Sequence, residues 1–160
     1  MAFIKGQDRI LEIKLNGEYF PIGCLTDNSF NESSDMLGTT TRDNINGWQS
    51  SVPTNQRYSV TFSGLLGLEY SSETLVTYYQ LQIFKRFKDL IEWRANDGLG
   101  NFDSGQGYIT EISNANSIDE FVSFDGVIQG FGIPSNEEVA RLLLETSDFV
   151  LLETDDKIIL

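Results

Sequence analysis

The sequence contains no histidine, a single cysteine (Cys24) and three prolines in 160 residues. Without histidine there is no Ser-His-Asp or Cys-His nucleophile system, no HExxH zinc site and no imidazole acid or base near neutral pH. One thiol closes no intrachain disulfide and supplies too few thiolates for structural zinc. Positive charge is scarce as well: 11 Lys+Arg face 24 Asp+Glu, a net charge of −13 with a pI near 4.2. Such a chain repels polyanions, which argues against broad electrostatic attraction to nucleic acid or anionic lipid. Long apolar runs are missing too. The longest, Phe149–Leu152, falls far short of the roughly 20 residues that span a bilayer. Met1–Ile10 carries Lys5, Asp8 and Arg9 where an export signal needs an apolar core. These absences predict a soluble protein made in a reducing cytoplasm.

What is present fits one globular domain. Apolar residues make up 40%, with 11 Phe and 6 Tyr, enough to drive collapse of the chain. A chain of this length buries about 70% of its unfolded surface and needs neither disulfide nor metal to hold together.

Two alternating segments, Arg9–Leu15 and Tyr19–Cys24, flank Asn16-Gly17. An Asn-Gly pair between apolar runs predicts a type I′ hairpin, because both turn residues need positive φ. From Thr26 to Asn55 the chain is dense in Ser, Thr, Asn, Asp and Gly. Strands are possible at Asn28–Ser33 and Met36–Arg42, but most of 28–55 reads as a long projecting loop. Tyr58–Leu66 alternates as a strand. Val76, Tyr79, Ile83, Phe87 and Leu90 then recur at three- and four-residue spacing, behind Ser71, Ser72 and Glu73 as cap and first turn. This predicts one amphipathic helix over about 73–89, with those apolar residues as its core face. Strands follow at Ile91–Arg94, Tyr108–Ile112 and Glu120–Gly130, with a turn region from Asn96 to Gly107. Ser135-x-x-Glu138 has a capping-box pattern that argues for a helix over Val139–Leu144. Phe149–Glu153 reads as a strand. The expectation is a mostly β fold with one packed helix and no internal repeat.

Constellations that suggest chemistry are weak. Gly98, Gly100, Gly105 and Gly107 cluster without GxGxxG spacing, so an ordinary wide turn is favoured over a phosphate cradle. Asn96, Asp97, Asn101 and Asp103 hint at a calcium loop but lack the EF-hand spacing and its closing Glu. With 24 acids some pair always has glycosidase spacing, which empties that signal. Cys24 is expected to be a buried, inert thiol. Trp48 either tucks onto the domain or contacts another subunit, where tryptophan is enriched.

The charge is unevenly placed. Between Ala95 and Asp156 there are thirteen acids against Arg141 alone, a net −12. This is either a solvated face that aids solubility or a surface that repels a polyanion or attracts a basic partner.

The polar excursion carries a resemblance. The stretch Cys24-Leu-Thr-Asp-Asn-Ser-Phe-Asn-Glu-Ser-Ser-Asp35 is followed by Thr39-Thr-Thr-Arg-Asp43, Gly47-Trp48, Pro53 and Tyr58-Ser-Val-Thr-Phe-Ser-Gly64. Together with the order hairpin, long loop, strand, helix, strands, it resembles the tail tube (major tail) proteins of tailed bacteriophages over roughly residues 8–132. The resemblance implies a β-sandwich or barrel-like fold with one packed helix, built from residues 1–132, and leaves 133–160, expected to belong to the same domain, without a role. It implies a structural virion protein of the tail, not an enzyme, with no cofactor and no metal. Copies would form hexameric rings that stack into a tube and conduct DNA during ejection without binding it specifically. Other implied partners are the tape measure protein, the tail terminator and baseplate or tail-tip proteins; no membrane is involved. The loop 28–55 would carry ring-to-ring contacts, with Asp35, Arg42, Asp43 and Trp48 as candidates. Asp97, Asp103, Glu111, Asp119, Glu120 and Asp125 are the candidates for charge lining the lumen, where like charge suppresses sticking. Alternatives are the inner tube of a contractile injection or type VI secretion apparatus, and a carbohydrate-binding or adhesion β-sandwich using Tyr19, Trp48 and Trp93. A small hydrolase with a carboxylate pair trails behind these.

Overall fold

The computed structural model describes residues 3, 5–39, 47–67 and 74–136. Seven strands and one helix follow a 3-10 turn at Gly6–Asp8: β1 (Ile10–Leu15), β2 (Glu18–Pro21), β3 (Leu25–Gly38), β4 (Ser51–Leu65), α1 (Tyr78–Phe87), β5 (Ile91–Asn96), β6 (Phe102–Ala115) and β7 (Ser123–Asn136). All seven strands join one antiparallel sheet in the order β2-β1-β5-β6-β7-β4-β3.

The β1–β2 hairpin turns at Asn16 (φ 51°) and Gly17 (φ 90°), the two positive φ values that a type I′ turn demands. Alternation then decides which way the sheet curls. Leu11 and Ile13 of β1, Tyr58, Val60 and Phe62 of β4, Ile91 and Trp93 of β5, Ile109 of β6, and Phe124 and Ile128 of β7 all point to one side and are buried. Wrapping brings the two ends of the sheet together around them. Phe30 of β3 packs on Trp93 of β5 with ring centroids 5.5 Å apart, and Asn28 Nδ2 donates to the carbonyl of Arg9 at 3.3 Å. The result is a half-barrel closed over a single core, with α1 packed against β6.

Several sequence expectations shift. The described part of the excursion 28–55 is mainly β-ladder: β3 runs to Gly38 and β4 begins at Ser51. Ser and Thr tolerate an exposed strand as readily as a turn, and their composition hid the pairing. The helix starts at Tyr78. Thr77 Oγ1 accepts from the Gln80 amide while Gln80 Oε1 accepts from the Thr77 amide (3.0 Å), a reciprocal cap that fixes the first turn. Ser71, Ser72 and Glu73 lie outside the described residues. Val76 precedes the helix and pairs with Ile22 in a parallel bridge. The helix ends where Lys88 adopts the left-handed conformation (φ 58°).

The helix face is the larger correction. Tyr78 and Leu81 are buried and Phe84 packs on the core, whereas Tyr79, Ile83, Phe87 and Leu90 are exposed. Two apolar stripes share this helix, and periodicity alone does not say which one docks. The Thr77 cap sets the phase.

The turn expected over Asn96–Gly107 contracts to Asp97–Asn101, with Gly105 and Gly107 inside β6. Ser135 is a strand residue paired with Ser104, not a helix cap, and β7 runs to Asn136, past the Gly130 end expected for that strand. The helix expected at 139–144 and the strand at 149–153 lie outside the described residues. Cys24 is exposed, with φ 56° in the link from β2 to β3, and is therefore not a core thiol.

Candidate assembly surfaces

The convex side of the sheet divides into two sectors. Over β1 and β5 its charges are cancelled. Arg94 donates to Glu12 (Nε–Oε2 2.7 Å) and stacks its guanidinium 4.2 Å from the Tyr19 ring. Lys14 lies 2.7 Å from Glu92. The hydrogen bond and charge of Glu92 raise the Lys14 pKa above its ordinary value, and the Lys14 hydrogen bond lowers that of Glu92.

Over β3, β4, β7 and β6 the register builds a different surface. Cross-strand partners on the same face fall into three rows: Asp27–Ser63–Asp125–Ser113, Ser29–Thr61–Val127–Glu111, and Asn31–Ser59–Gln129–Tyr108. These twelve positions hold three carboxylates and no cation. Ser29 and Thr61 share a 2.5 Å hydroxyl contact, and a shallow cleft of about 300 Å³ runs between Asp27, Asp125 and Glu111. Among the described residues no cluster of acids, Cys or His could hold a metal ion.

Both margins of this four-strand sector carry ladder edges. Among the described residues β3 pairs only with β4, and β6 beyond Gly107 pairs only with β7. Unpaired ladder edges attract another strand.

A third surface projects from the sector. β7 pairs with β4 only from Ser59 to Leu65, so beyond core-facing Tyr58 the segments Ser51–Arg57 and Ser33–Gly38 form a two-stranded arm. Such a ribbon is marginal in water by itself. An ion pair between Arg57 and Asp35, and Thr54 Oγ1 donating to the Asp35 carbonyl at 3.0 Å, tie its strands together. Met36, Leu37, Val52 and Trp48 are exposed at its far end, Trp48 at 79%.

A family model described as phage tail tube protein matches residues 3–136. The chain belongs to the phage tail tube protein family. Structural likeness agrees. The fold is similar to a chain in the tail of an empty gene transfer agent particle refined with C6 symmetry, at TM-score 0.68 and 16% identity, covering 82% of this chain and 96% of that one. It is similar to the SPP1 tail tube at TM-score 0.63 and 12% identity, covering 83% and 78%. It is also similar to a chain of the sheath/tube terminator of an extracellular contractile injection system, at TM-score 0.57 and 12% identity, covering 84% and 98%. No curated protein sequence matched the chain.

Family membership makes this a structural protein of the virion tail and not an enzyme. A contractile-apparatus or secretion tube is not favoured over the phage tail tube, and an adhesion module is disfavoured further. Trp93 is fully buried and Tyr19 is covered by Arg94, which removes two of the three aromatics that module would use.

The expected site residues separate. Glu111 and Asp125 share the acidic rows; Asp119 and Glu120 are exposed on the β6–β7 loop. Asp103 stands opposite core-facing Ala95 and pairs with Arg9, so it is not on the acidic face. Asp97 is only 7% exposed. Its Oδ1 accepts from the amides of Leu99 (2.9 Å) and Asn101 (3.2 Å) and its Oδ2 from Asn101 Nδ2 (3.1 Å). The Leu99 amide is the main reason its pKa is lowered, followed by Asn101. Asp97 holds its own turn and is not one of the positions in the three rows. Asp35 is engaged within the arm, and Arg42 and Asp43 lie outside the described residues. Asp27 was missed by sequence reading. Its signal was the alternation Asp27, Ser29, Asn31 against Asn28, Phe30, which reads as a strand only once Phe30 is recognised as a core residue.

Proposed function

We propose that copies of this chain close into hexameric rings in which the β3 edge of one subunit meets the open β6 edge of the next. The rings stack through the β3–β4 arm, and the acidic rows line the lumen through which DNA passes. The observation that carries this reading is the four-strand sector itself. It has an open edge on each side, a cation-free polar face, and an arm ending in exposed apolar residues. A ring satisfies both edges at once, which a monomer or an open chain does not. A lumen wall holding Asp27, Asp125 and Glu111 among hydroxyls and amides gives a duplex no counterion-releasing contact, so it slides. The C6 symmetry of the gene transfer agent tail, to which the fold is similar, supports six as the ring number. The tape measure protein in the lumen before ejection, and terminator and baseplate or tail-tip proteins at the tube ends, complete the partners this role requires.

Electron microscopy of concentrated protein tests the reading, with six-fold tubes as the expected result. A protein that stays monomeric through every assembly condition and is absent from tail particles overturns it. Reversing the wall charge separates the lumen claim from the assembly claim. Glu111→Lys with Asp125→Lys should still give tubes, but tubes that retain duplex DNA in a salt-dependent way. Unchanged DNA passage would place those acids elsewhere.

A further inference from the structure

The outward face of α1 is a surface that neither ring closure nor stacking, as proposed above, accounts for. Tyr79, Ile83 and Phe87 form a stripe at four-residue spacing, 64%, 47% and 74% exposed. Lys85, Arg86 and Lys88 crowd the last turn and cap beside it. Among the described residues, Arg9, Lys14, Arg57 and Arg94 all pair with carboxylates, whereas these three and the isolated Lys5 enter no ion pair. In a chain of net charge −13, that is an unusual place for unmatched cations.

We propose that residues 137–160 of the same chain dock along this helix face. The segment has the complementary composition. It holds seven carboxylates against Arg141 and Lys157, interleaved with the aliphatic runs Leu142–Leu144 and Ile158–Leu160 and with Phe149–Leu152. Aliphatic side chains cover Tyr79, Ile83 and Phe87, and carboxylates meet the basic end of the helix, where the helix dipole alone would repel them. Reach is no obstacle. Asn136 pairs with Asp103, and Ile91, just after the helix, pairs with Gly107 on the same strand. That is about 13 Å along β6 at ~3.3 Å per residue and about 10 Å across it, whereas 24 residues extend to about 80 Å. The inference does not depend on the ring model, and either stands if the other fails.

A photo-crosslinking residue placed at position 87 of the full chain, kept dilute and shown monomeric by light scattering, tests it. Adducts should map within 137–160 of the same molecule. Lys85→Glu, Arg86→Glu and Lys88→Glu together should cut their yield about fivefold. Adducts elsewhere in the chain, adducts joining isotopically distinct copies, or a yield indifferent to the charge reversal each overturn the proposal. Hydrogen exchange on the unmodified protein gives a second measure free of any folding defect in the variants. Raising the salt from about 0.05 to about 0.5 M should speed exchange in 137–160 about threefold as screening weakens the contacts. Salt-independent exchange there overturns it as well.

Discussion

Three glycines inside the half-barrel each lie under an aromatic ring. The Phe62 ring lies on Gly126, the Tyr58 ring on Gly130, and Phe124 on Gly64, each so close that a β-carbon would overlap the ring. Tyr58 also donates its hydroxyl to the carbonyl of Gln106. Glycine is required at these points because the ring occupies the volume of a side chain, not because of φ. Gly126→Val should therefore destabilise the domain by at least the ~1–3 kcal/mol typical of overpacking, read as a lower urea midpoint with unchanged slope. At Asp97 the expected effect is one of pH. Its folded pKa lies below the ordinary 3.8, so its contribution is complete above that value and disappears as pH falls through the lowered one. Exchange at the Leu99 and Asn101 amides should accelerate only in that acidic range. In Asp97→Asn it should be faster at neutral pH as well.

Among the elements, the β3–β4 arm is the most separable. Thr39 and Ser50 already face each other, with an amide-to-carbonyl bond of 2.8 Å and a hydroxyl contact of 3.0 Å. Replacing residues 40–49 by Asn-Gly should close the hairpin tightly at that pair. We expect a thermal midpoint within about 2 °C of the parent and no stacked tubes by electron microscopy, since surface changes remote from the core have small effects on stability. A lost fold would mean that the tip belongs to the core. The β1–β2 hairpin was readable because Asn16-Gly17 allows little else, and the strands of the core were readable from strict alternation. The arm was not, since both of its faces are polar and a two-sided polar strand has no hydrophobic period. Nor was the docked stripe of α1, because Tyr78/Leu81/Phe84 and Tyr79/Ile83/Phe87 carry the same kind of signal and only the capping contact tells them apart.

For the whole molecule, the concentration of acid between residues 95 and 156 proved to be several things. Asp97 fixes a turn and Asp103 pairs with Arg9, while Glu111 and Asp125 join Asp27 on one sheet face. Asp119 and Glu120 lie on the β6–β7 loop, and seven of the thirteen acids lie outside the described residues. Charge counted along the chain located a region of excess but could not say which side of a strand each carboxylate takes. That needs register, and a bulge between Ile109 and Glu111 resets it within β6 itself.

Those register shifts carry a consequence for the subunit before assembly. Among its described residues a newly made copy displays two ladder edges, the same hazard that seeds fibrils in other β proteins. In β3 the pairing slips between Leu25 and Asp27 and again between Ser34 and Met36, and in β6 it slips beside Glu111. Each slip shortens the straight stretch available to a wrongly offered strand. Pairing with the wrong partner therefore stops after a few residues, whereas a neighbour carrying matching irregularities pairs along its whole length. On the proposed ring closure these irregularities would favour the matched neighbour, and a variant that straightened them should gain insoluble fibres before it gained tubes.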